Sequence, residues 1–469
     1  MTSDINGRLL NLVEASPDVA GKTIRPAPFG PVALPDSTIP FCRAPHQFLL
    51  DTALQGPATR FRMHDETFLV LSDPVSIHAV LNGTPDDFEK GAMVEVLRTF
   101  LHDGMITVEG AGWIEQHAMM APLFARRRIR QLEPHIADCV THLIETWAAL
   151  AAGEPVDIFT AAKRLTFDVV ASGMLGITDR ALADDLFETL YKLDRTESVR
   201  LNYLLKPLGA ETQGVFERSA YAESVERIHR LTAAVAEERL VSATRTDDFL
   251  GDVMGTPAFA AFTLERKRTF LADQVSTMLT AGFVTTGESI FWGMYLLAKH
   301  PAVQERARVE VLEQTKAAIS AVPVDAPPFV VAAFNESQRL FPAIWFLGRV
   351  ARRNVRVGNI DIPADTRVLC SPFVLHRMPA LWPDSDQYRP ERFLPGATPP
   401  VTPHAFIPFS TGMRACLGRG LALMEIAAVA CMTLARFELE LVSDAQITFT
   451  GAFSLHPREP VMFRLKPRL

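Results

Sequence analysis

Apolar positions recur at three- and four-residue spacing from about residue 112 to 320, with Ala, Glu, Leu and Arg abundant, and this pattern predicts a long series of helices. Within it, Thr269 to Lys299 is apolar on nearly all sides, which marks a helix running through the centre of the protein rather than along its surface. Shorter patterns flank the series. Five prolines between residues 26 and 40 predict a stiff, extended lead-in rather than a helix. Ala58–Met63 and Phe68–Leu71, separated by a polar turn, read as a hairpin. Ser72-Asp73-Pro74 then supplies an N-cap with proline in the first turn, so a helix is expected from there to about Leu81. Past Phe341-Pro342 the chain changes to short β-like pieces, Arg353–Val357 and Arg367–Leu369, among proline-rich loops. A last helix is expected from about Leu417 to Phe437, followed by strands around Phe437–Leu441 and Pro460–Leu465. The fold class that follows is mainly α with small β-sheets.

Composition narrows the function without naming it. No linker, charge block, low-complexity run or fixed-period repeat divides the 469 residues, so one domain over 1–469 is expected, with residues 1–25 as a lead. Hydrophobic residues at 48% and charged residues at 22% provide for a large core. A net charge of −7 and a pI near 6.0 argue against a nucleic-acid partner. The basic cluster Arg126-Arg127-Arg128-Ile129-Arg130 has two readings, a solvated helix face or a docking patch for an acidic protein. Met1 to Arg25 mixes charges into its apolar residues, unlike a signal peptide or an anchor, and no stretch reaches the ~18 apolar residues of a membrane span. The five cysteines are scattered and odd in number, which favours a reducing, cytoplasmic setting over a disulfide framework.

The strongest chemical pattern is Phe409-Ser410-Thr411-Gly412-Met413-Arg414-Ala415-Cys416-Leu417-Gly418. One cysteine stands at the mouth of the last helix, where the helix N-terminus favours negative charge and lowers a thiol pKa. Gly412 and Gly418 allow unusual backbone angles and close approach, and Arg414 offers a planar fork to an anion. A buried structural cysteine would be the ordinary reading of any one of these features. Taken whole, the decapeptide resembles the haem-binding signature F-x-x-G-x-R-x-C-x-G of the cytochrome P-450 family, matching every specified position. Leu421, Ala422 and Glu425 continue the likeness into the helix.

The resemblance extends over roughly residue 26 to the C-terminus. Glu336 and Arg339 match the family's E-x-x-R, and Pro390-Glu391-Arg392-Phe393 matches its P-E-R-F. Glu336 and Arg339 lie a turn apart on one helix face and can pair. The family implies that this pair is buried, joined by Arg392, and structural. Trp113 and His117 resemble its W-x-x-x-R with His for Arg, and Gly348-Arg349 resembles a segment whose arginine meets a haem propionate. His376-Arg377 and Trp382-Pro383 fit the run before P-E-R-F, where packing is their implied role.

Ala281-Gly282-Phe283-Val284-Thr285-Thr286 resembles the family's A-G-x-(D/E)-T-T, which sets Thr285 over the iron. A threonine in mid-helix can hydrogen-bond to the carbonyl four residues back and open a groove there. The chain departs from the family at Val284, which replaces an acid and cannot relay protons. Glu288, one turn beyond Thr285, reads either as a substitute carboxylate or as a supporting or solvated residue. Family pocket segments map onto Phe100, Leu101, Met105, Ile106, Met278, Leu279, Phe283, Ile344, Trp345, Phe346, Phe453 and Leu455, an apolar set with ordinary core as its alternative.

The resemblance implies a soluble, bacterial-type haem-thiolate monooxygenase with haem b held by Cys416. It would oxidise an apolar small molecule, a terpenoid, fatty acid or aromatic, with O2. Electrons would come from a separate ferredoxin or flavodoxin-like donor with its reductase. Two alternatives stay open on sequence: a peroxide-using peroxygenase or hydroperoxide isomerase, and a haem-thiolate sensor without catalysis.

Overall fold

A computed structural model describes residue 34 and segments 36–63, 66–151, 153–195, 220–242, 247–314, 326–443, 447–451 and 454–468. The helices that build the site are α1 (Pro74–Leu81), α2 (Glu95–Leu101), α3 (Gly110–Met120), α4 (Arg126–Arg130), α5 (Ile158–Asp168), α6 (Arg180–Arg195), α7 (Ala220–Val241), α8 (Leu264–Lys299), α9 (Pro328–Leu340) and α10 (Arg419–Arg436). Asp73 caps α1 by accepting the Ser76 N–H at 2.7 Å, the N-cap expected from Ser72-Asp73-Pro74.

The apolar run becomes α8, a helix of 36 residues, ~54 Å long. Thr263 caps it, accepting the Arg266 N–H at 3.3 Å, which places its start ahead of the expected Thr269. From Phe270 to Leu297 most of its side chains are buried, because α5, α7, α9 and α10 all pack on it. At Gly287 a Cβ would stand 2.9 Å from the Lys163 Cα, so α5 could not approach a larger residue this closely. Beyond α5 the chain makes a π-helical turn, Val169–Met174. This turn carries Val170 to Gly282, where a Cβ would lie 2.6 Å from the valine Cγ2.

The strands are β1 (Ala58–Met63), β2 (Glu66–Leu71), β3 (Phe88–Glu89), β4 (Pro155–Val156), β5 (Leu347–Ala351), β6 (Val355–Val357), β7 (Ile360–Ile362), β8 (Arg367–Cys370), β9 (Phe437–Leu441), β10 (Phe449–Gly451), β11 (Leu455–Pro457) and β12 (Phe463–Pro467). The hairpin β1–β2 joins a five-stranded sheet in the order β1-β2-β8-β5-β3, with Phe61 opposite Phe68 and β8 parallel to β2. A three-stranded sheet, β4-β12-β9, and two separate hairpins complete the β content among the described residues. The large core lies along α8. A second core around Phe41, Phe61, Phe68, Trp345 and Phe373 anchors the sheet.

Three local expectations change. The extended lead ends early, because Thr38–Arg43 is helical with Pro40 in its first turn, where proline forfeits no hydrogen bond. Residues 26 to 33 and 35 lie outside the described residues. The piece Arg353–Val357 contracts to β6, and the final strand begins at Phe463.

Candidate active site

Cys416 sits in a loop shaped by its own backbone. The Cys416 N–H donates to the Phe409 carbonyl at 3.0 Å, and Ala415 closes a turn on Gly412, also at 3.0 Å. Gly412 has φ +79°, and a Cβ there would stand 2.5 Å from the Leu81 carbonyl. Glycine therefore lets the loop rest against the end of α1. Gly412 does not line the cavity, which corrects its expected place against the cofactor. Gly418 has an ordinary φ of −75°, so no unusual angle requires it; a Cβ there would meet only the Cys416 Sγ, at 3.8 Å.

The Cys416 side chain opens into a cavity under α8. Its depth among protein atoms pushes the thiol pKa up, while the N–H groups of Gly418 and Arg419 pull it down. The helix mouth thus acts in the expected sense, but burial outweighs it.

The cavity brings most of the expected residues together. Its walls include Trp113, His117, Ala281, Gly282, Thr285, Thr286, Arg349, Phe409, Arg414, Cys416 and Gly418. Of the expected pocket residues, Met105, Ile106, Met278, Ile344 and Phe346 line it. Phe100, Leu279, Phe283 and Trp345 do not. Leu279 and Phe283 belong to the helical core, Phe100 packs with Leu97, Leu193 and Tyr221, and Trp345 lies in the sheet core. Helical phase explains two of these: Met278, Ala281, Gly282, Thr285 and Ser289 form one stripe of α8, while Leu279 and Phe283 face away. Leu455 is also core, and Phe453 lies outside the described residues.

Thr285 donates its hydroxyl to the Ala281 carbonyl at 2.8 Å, and Ser289 donates to the Thr285 carbonyl at 2.8 Å. Glu288 is absent from the cavity wall, which corrects its reading as a substitute carboxylate. It is fully buried, 3.0 Å from Lys163 Nζ, and accepts the Ser454 hydroxyl at 2.8 Å. Burial raises its pKa to about 8 against the pull of Lys163.

One edge of the cavity is cationic, and sequence reasoning found only part of it. Arg414 donates to Glu109 at 3.0 Å and to the Val108 carbonyl at 3.1 Å, and stands 4.2 Å over the Trp113 ring. Lys90, unforeseen, donates to the Ile106 carbonyl and is lowered to about 7 by burial, then by the charges of Arg414 and Arg349. Burial also lowers Arg349, and lowers Arg414 to about 10. The pairing of β3 with β5 sets Glu89 opposite Val350, so the next step brings Lys90 toward Arg349. Nothing local in the sequence signals that meeting.

Behind the cysteine loop, Glu336 and Arg339 are both fully buried and joined twice, at 2.7 and 2.8 Å. Arg339 also donates to the carbonyls of His376, Ser385 and Gln387. Arg392 Nε reaches Glu336 at 3.2 Å, and the Arg389 N–H donates to the same carboxylate at 2.9 Å. Burial lowers His376 to about 3, and its neutral Nε2 accepts the Ile407 N–H at 2.9 Å, tying the chain before Cys416 to this network.

The walls fit a flat dianionic iron macrocycle. Three cations, Arg349 buried and Lys90 and Arg414 half-buried, with Glu109 as their nearby carboxylate, favour two propionates. Apolar side chains supply broad faces, and Cys416 and Thr285 both present themselves to the same space. Haem would be held by Cys416 at the iron and by Lys90, Arg349 and Arg414 at the propionates.

Comparison with known proteins agrees with this class of enzyme. Residues 42–463 match the family described as Cytochrome P450, and the chain belongs to that family. "Carotene epsilon-monooxygenase, chloroplastic" of Arabidopsis thaliana is 27% identical over 436 residues, covering 88% of this chain and 80% of that protein. "Cyclooctatin synthase" of Streptomyces melanosporofaciens is 26% identical over 433 residues, covering 89% and 90%. A solved cytochrome P450DA heme domain shares the fold, with TM-score 0.78 and 22% identity over 91% of this chain and 94% of that one. The protein is a haem-iron monooxygenase that uses O2. No helix among the described residues is long and apolar enough to cross a membrane.

Proposed function

We propose that the chain works as one cytoplasmic domain that holds haem b through Cys416 and oxidises an apolar small molecule at a C–H bond. The observation that carries this reading is the single cavity shared by Cys416, the cations and Thr285. When bound, haem supplies the activation of O2, and a cysteine ligand favours O–O cleavage. The chain's own groups do the rest. Lys90, Arg349 and Arg414 orient the cofactor. Thr285, which can both donate and accept, holds a proton beside the reacting face. Met105, Ile106, Met278, Ile344 and Phe346 exclude water and gather an apolar substrate at ~25 cal/mol per Å² buried.

Among the substrate classes left open by sequence, a terpenoid has most support. Two relatives are named for carotene oxidation and for cyclooctatin synthesis, and the cavity wall is mostly apolar. A separate ferredoxin or flavodoxin-like protein with its reductase would deliver electrons on the cysteine side. There α4 packs on α10, and Arg126, Arg127 and Arg130 are exposed without an ion pair among the described residues. Arg128 is already engaged, 3.1 Å from Asp247 and 2.9 Å from Asp252.

The testing experiment is a carbon monoxide difference spectrum of the reduced protein, followed by titration with terpenoid, fatty-acid and aromatic compounds. A Soret band at the thiolate position and a low- to high-spin shift with a terpenoid are expected. A band at the histidine-ligated position overturns the assignment of Cys416. A second reading, a peroxide-driven reaction, is favoured by Val284 and by the capture of Glu288. It requires turnover with hydrogen peroxide and no electron donor.

A further inference from the structure

Two cavities open on successive turns of α8. The outer one, about 720 Å³, lies among α3, α7, the start of α8 and the loop from His102 to Val108. Asp273, Thr277, Ala281 and Thr285 follow each other at four-residue steps, each about one turn from the next, in a row that winds slowly around the helix. Asp273 lines the outer cavity, and the other three line the inner one. The Thr277 hydroxyl is buried without a hydrogen-bond partner. It lies against Gly104, where a Cβ would stand 1.9 Å from the Thr277 Oγ1 and 3.0 Å from the Asp273 carbonyl. Gly104 thus packs directly on α8 between Asp273 and Thr277, with no room for a side chain.

Asp273 differs from the other acids of the outer cavity. Glu115 is paired with Arg266, Glu237 with Arg268, and Asp103 faces Arg98 at 3.7 Å. Asp273 has no cation partner among the described residues and receives the Asp103 N–H. Burial, then the charge of Asp103, raises it to about 7. From the loop and α7, His102 and His229 also face this space, their rings 4.0 Å apart.

The reaction R–H + O2 + two electrons + two protons → R–OH + H2O requires protons inside. Near Thr285, position 284 is a buried valine and Glu288 is held by Lys163. We propose that the outer cavity is a water vestibule from which protons enter the inner one, taken up by Asp273 and handed on by Thr277 to water beside Thr285. The inference rests on the monooxygenase reading above. Asp273 and Thr277 carry the proton through water and do not touch the reacting atoms.

The test uses the haem-loaded full chain, wild type beside Asp273→Asn, Thr277→Val and Thr277→Ser. A surrogate plant-type ferredoxin and its reductase supply electrons, without organic substrate, and O2 uptake is followed in H2O and D2O. In wild type, uptake should fall as pH rises through about 7, with a solvent isotope effect. Asp273→Asn should lose that inflection and slow uptake about ten-fold below it, less than the ~100-fold of an acid in direct contact. Thr277→Val should slow uptake and Thr277→Ser restore it. Wild-type profiles in both Asp273→Asn and Thr277→Val would overturn the proposal.

A haem-independent measurement guards against misfolding. The folded chain keeps the Asp273 proton up to about pH 7, whereas the unfolded chain releases it near the ordinary aspartate value. Folding therefore binds a proton in that window, so this contribution to thermal stability falls as pH rises through it. Asp273→Asn should remove the Asp273 share of the fall and leave that of Glu288, whose pKa is raised to about 8; a fall as steep as in wild type would overturn the proposal. The carbon monoxide band separates the two readings. A thiolate band with an unchanged profile sinks the vestibule alone, and a wild type without the band sinks the monooxygenase reading beneath it.

Discussion

The cysteine side and the threonine side of the cavity are built by different means. The cysteine side is a stack of short motifs, each closing on itself or on the next. The loop from Phe409 to Gly418 folds by its own hydrogen bonds, and Glu336, Arg339 and Arg392 form one buried network beneath it. The threonine side is assembled from α2, α3, the turn after α5, α8 and the chain before β5, elements far apart in sequence. One side is a fixed platform for a cofactor. The other is a wall whose make-up sets what enters, and single side chains there can change without collapsing the fold.

The contrast breaks most sharply at Cys416. Cys416→Ser should abolish the thiolate band and lower monooxygenase turnover by at least ~10³-fold, more than ~4 kcal/mol of barrier. Retention of both would remove the cysteine side from the chemistry altogether.

Next in size is the network below. Arg339→Ala would leave Glu336 buried and charged, with only Arg392 and the Arg389 N–H to answer it, at a cost of ~3–5 kcal/mol. Denaturant unfolding followed by far-UV circular dichroism checks this. A change below ~1 kcal/mol, the size of a surface pair, would show that the network is ornamental. On the opposite wall, Thr285→Ala should keep the Soret band and the fold while product yield falls ~10–100-fold and peroxide release rises. Loss of haem from that variant would mean that the threonine side is also platform.

The same contrast explains what the sequence disclosed. Cys416, Glu336, Arg339 and Arg392 were picked out by the resemblance to the family, because each stands in a short motif of fixed spacing, and the join of Arg392 to Glu336 across 56 residues was given by that resemblance and not by local pattern. The helical pattern also showed α8 as central, since only a helix buried all round carries apolar residues on every face. The pocket was half legible. A segment names a stretch, but helical phase decides which members face the cavity, and Leu279 and Phe283 fell on the far side of α8 from Thr285. Counting in threes and fours from Thr285 would have excluded both. Glu288 was left between two readings for another reason: its fate depends on Lys163 of α5, a partner more than a hundred residues away in the chain.

The smallest predicted effect falls where the two sides meet. Lys90 is reached only through the pairing of β3 with β5, yet it belongs to the cationic edge with Arg349 and Arg414. Burial, then the charges of Arg414 and Arg349, pulls its pKa to about 7 against the opposing charge of Glu109. A propionate beside it would favour its charged form. Lys90→Met keeps the apolar stem and removes the charge, forfeiting one charge-assisted hydrogen bond of ~1.5–3 kcal/mol. Haem transfer to apomyoglobin should therefore be about ten-fold faster or more, with the thiolate band intact and turnover per bound haem nearly unchanged. If transfer is no faster, Arg349 and Arg414 suffice and Lys90 belongs to the substrate wall, which a shifted response to apolar ligands in the same variant would then report.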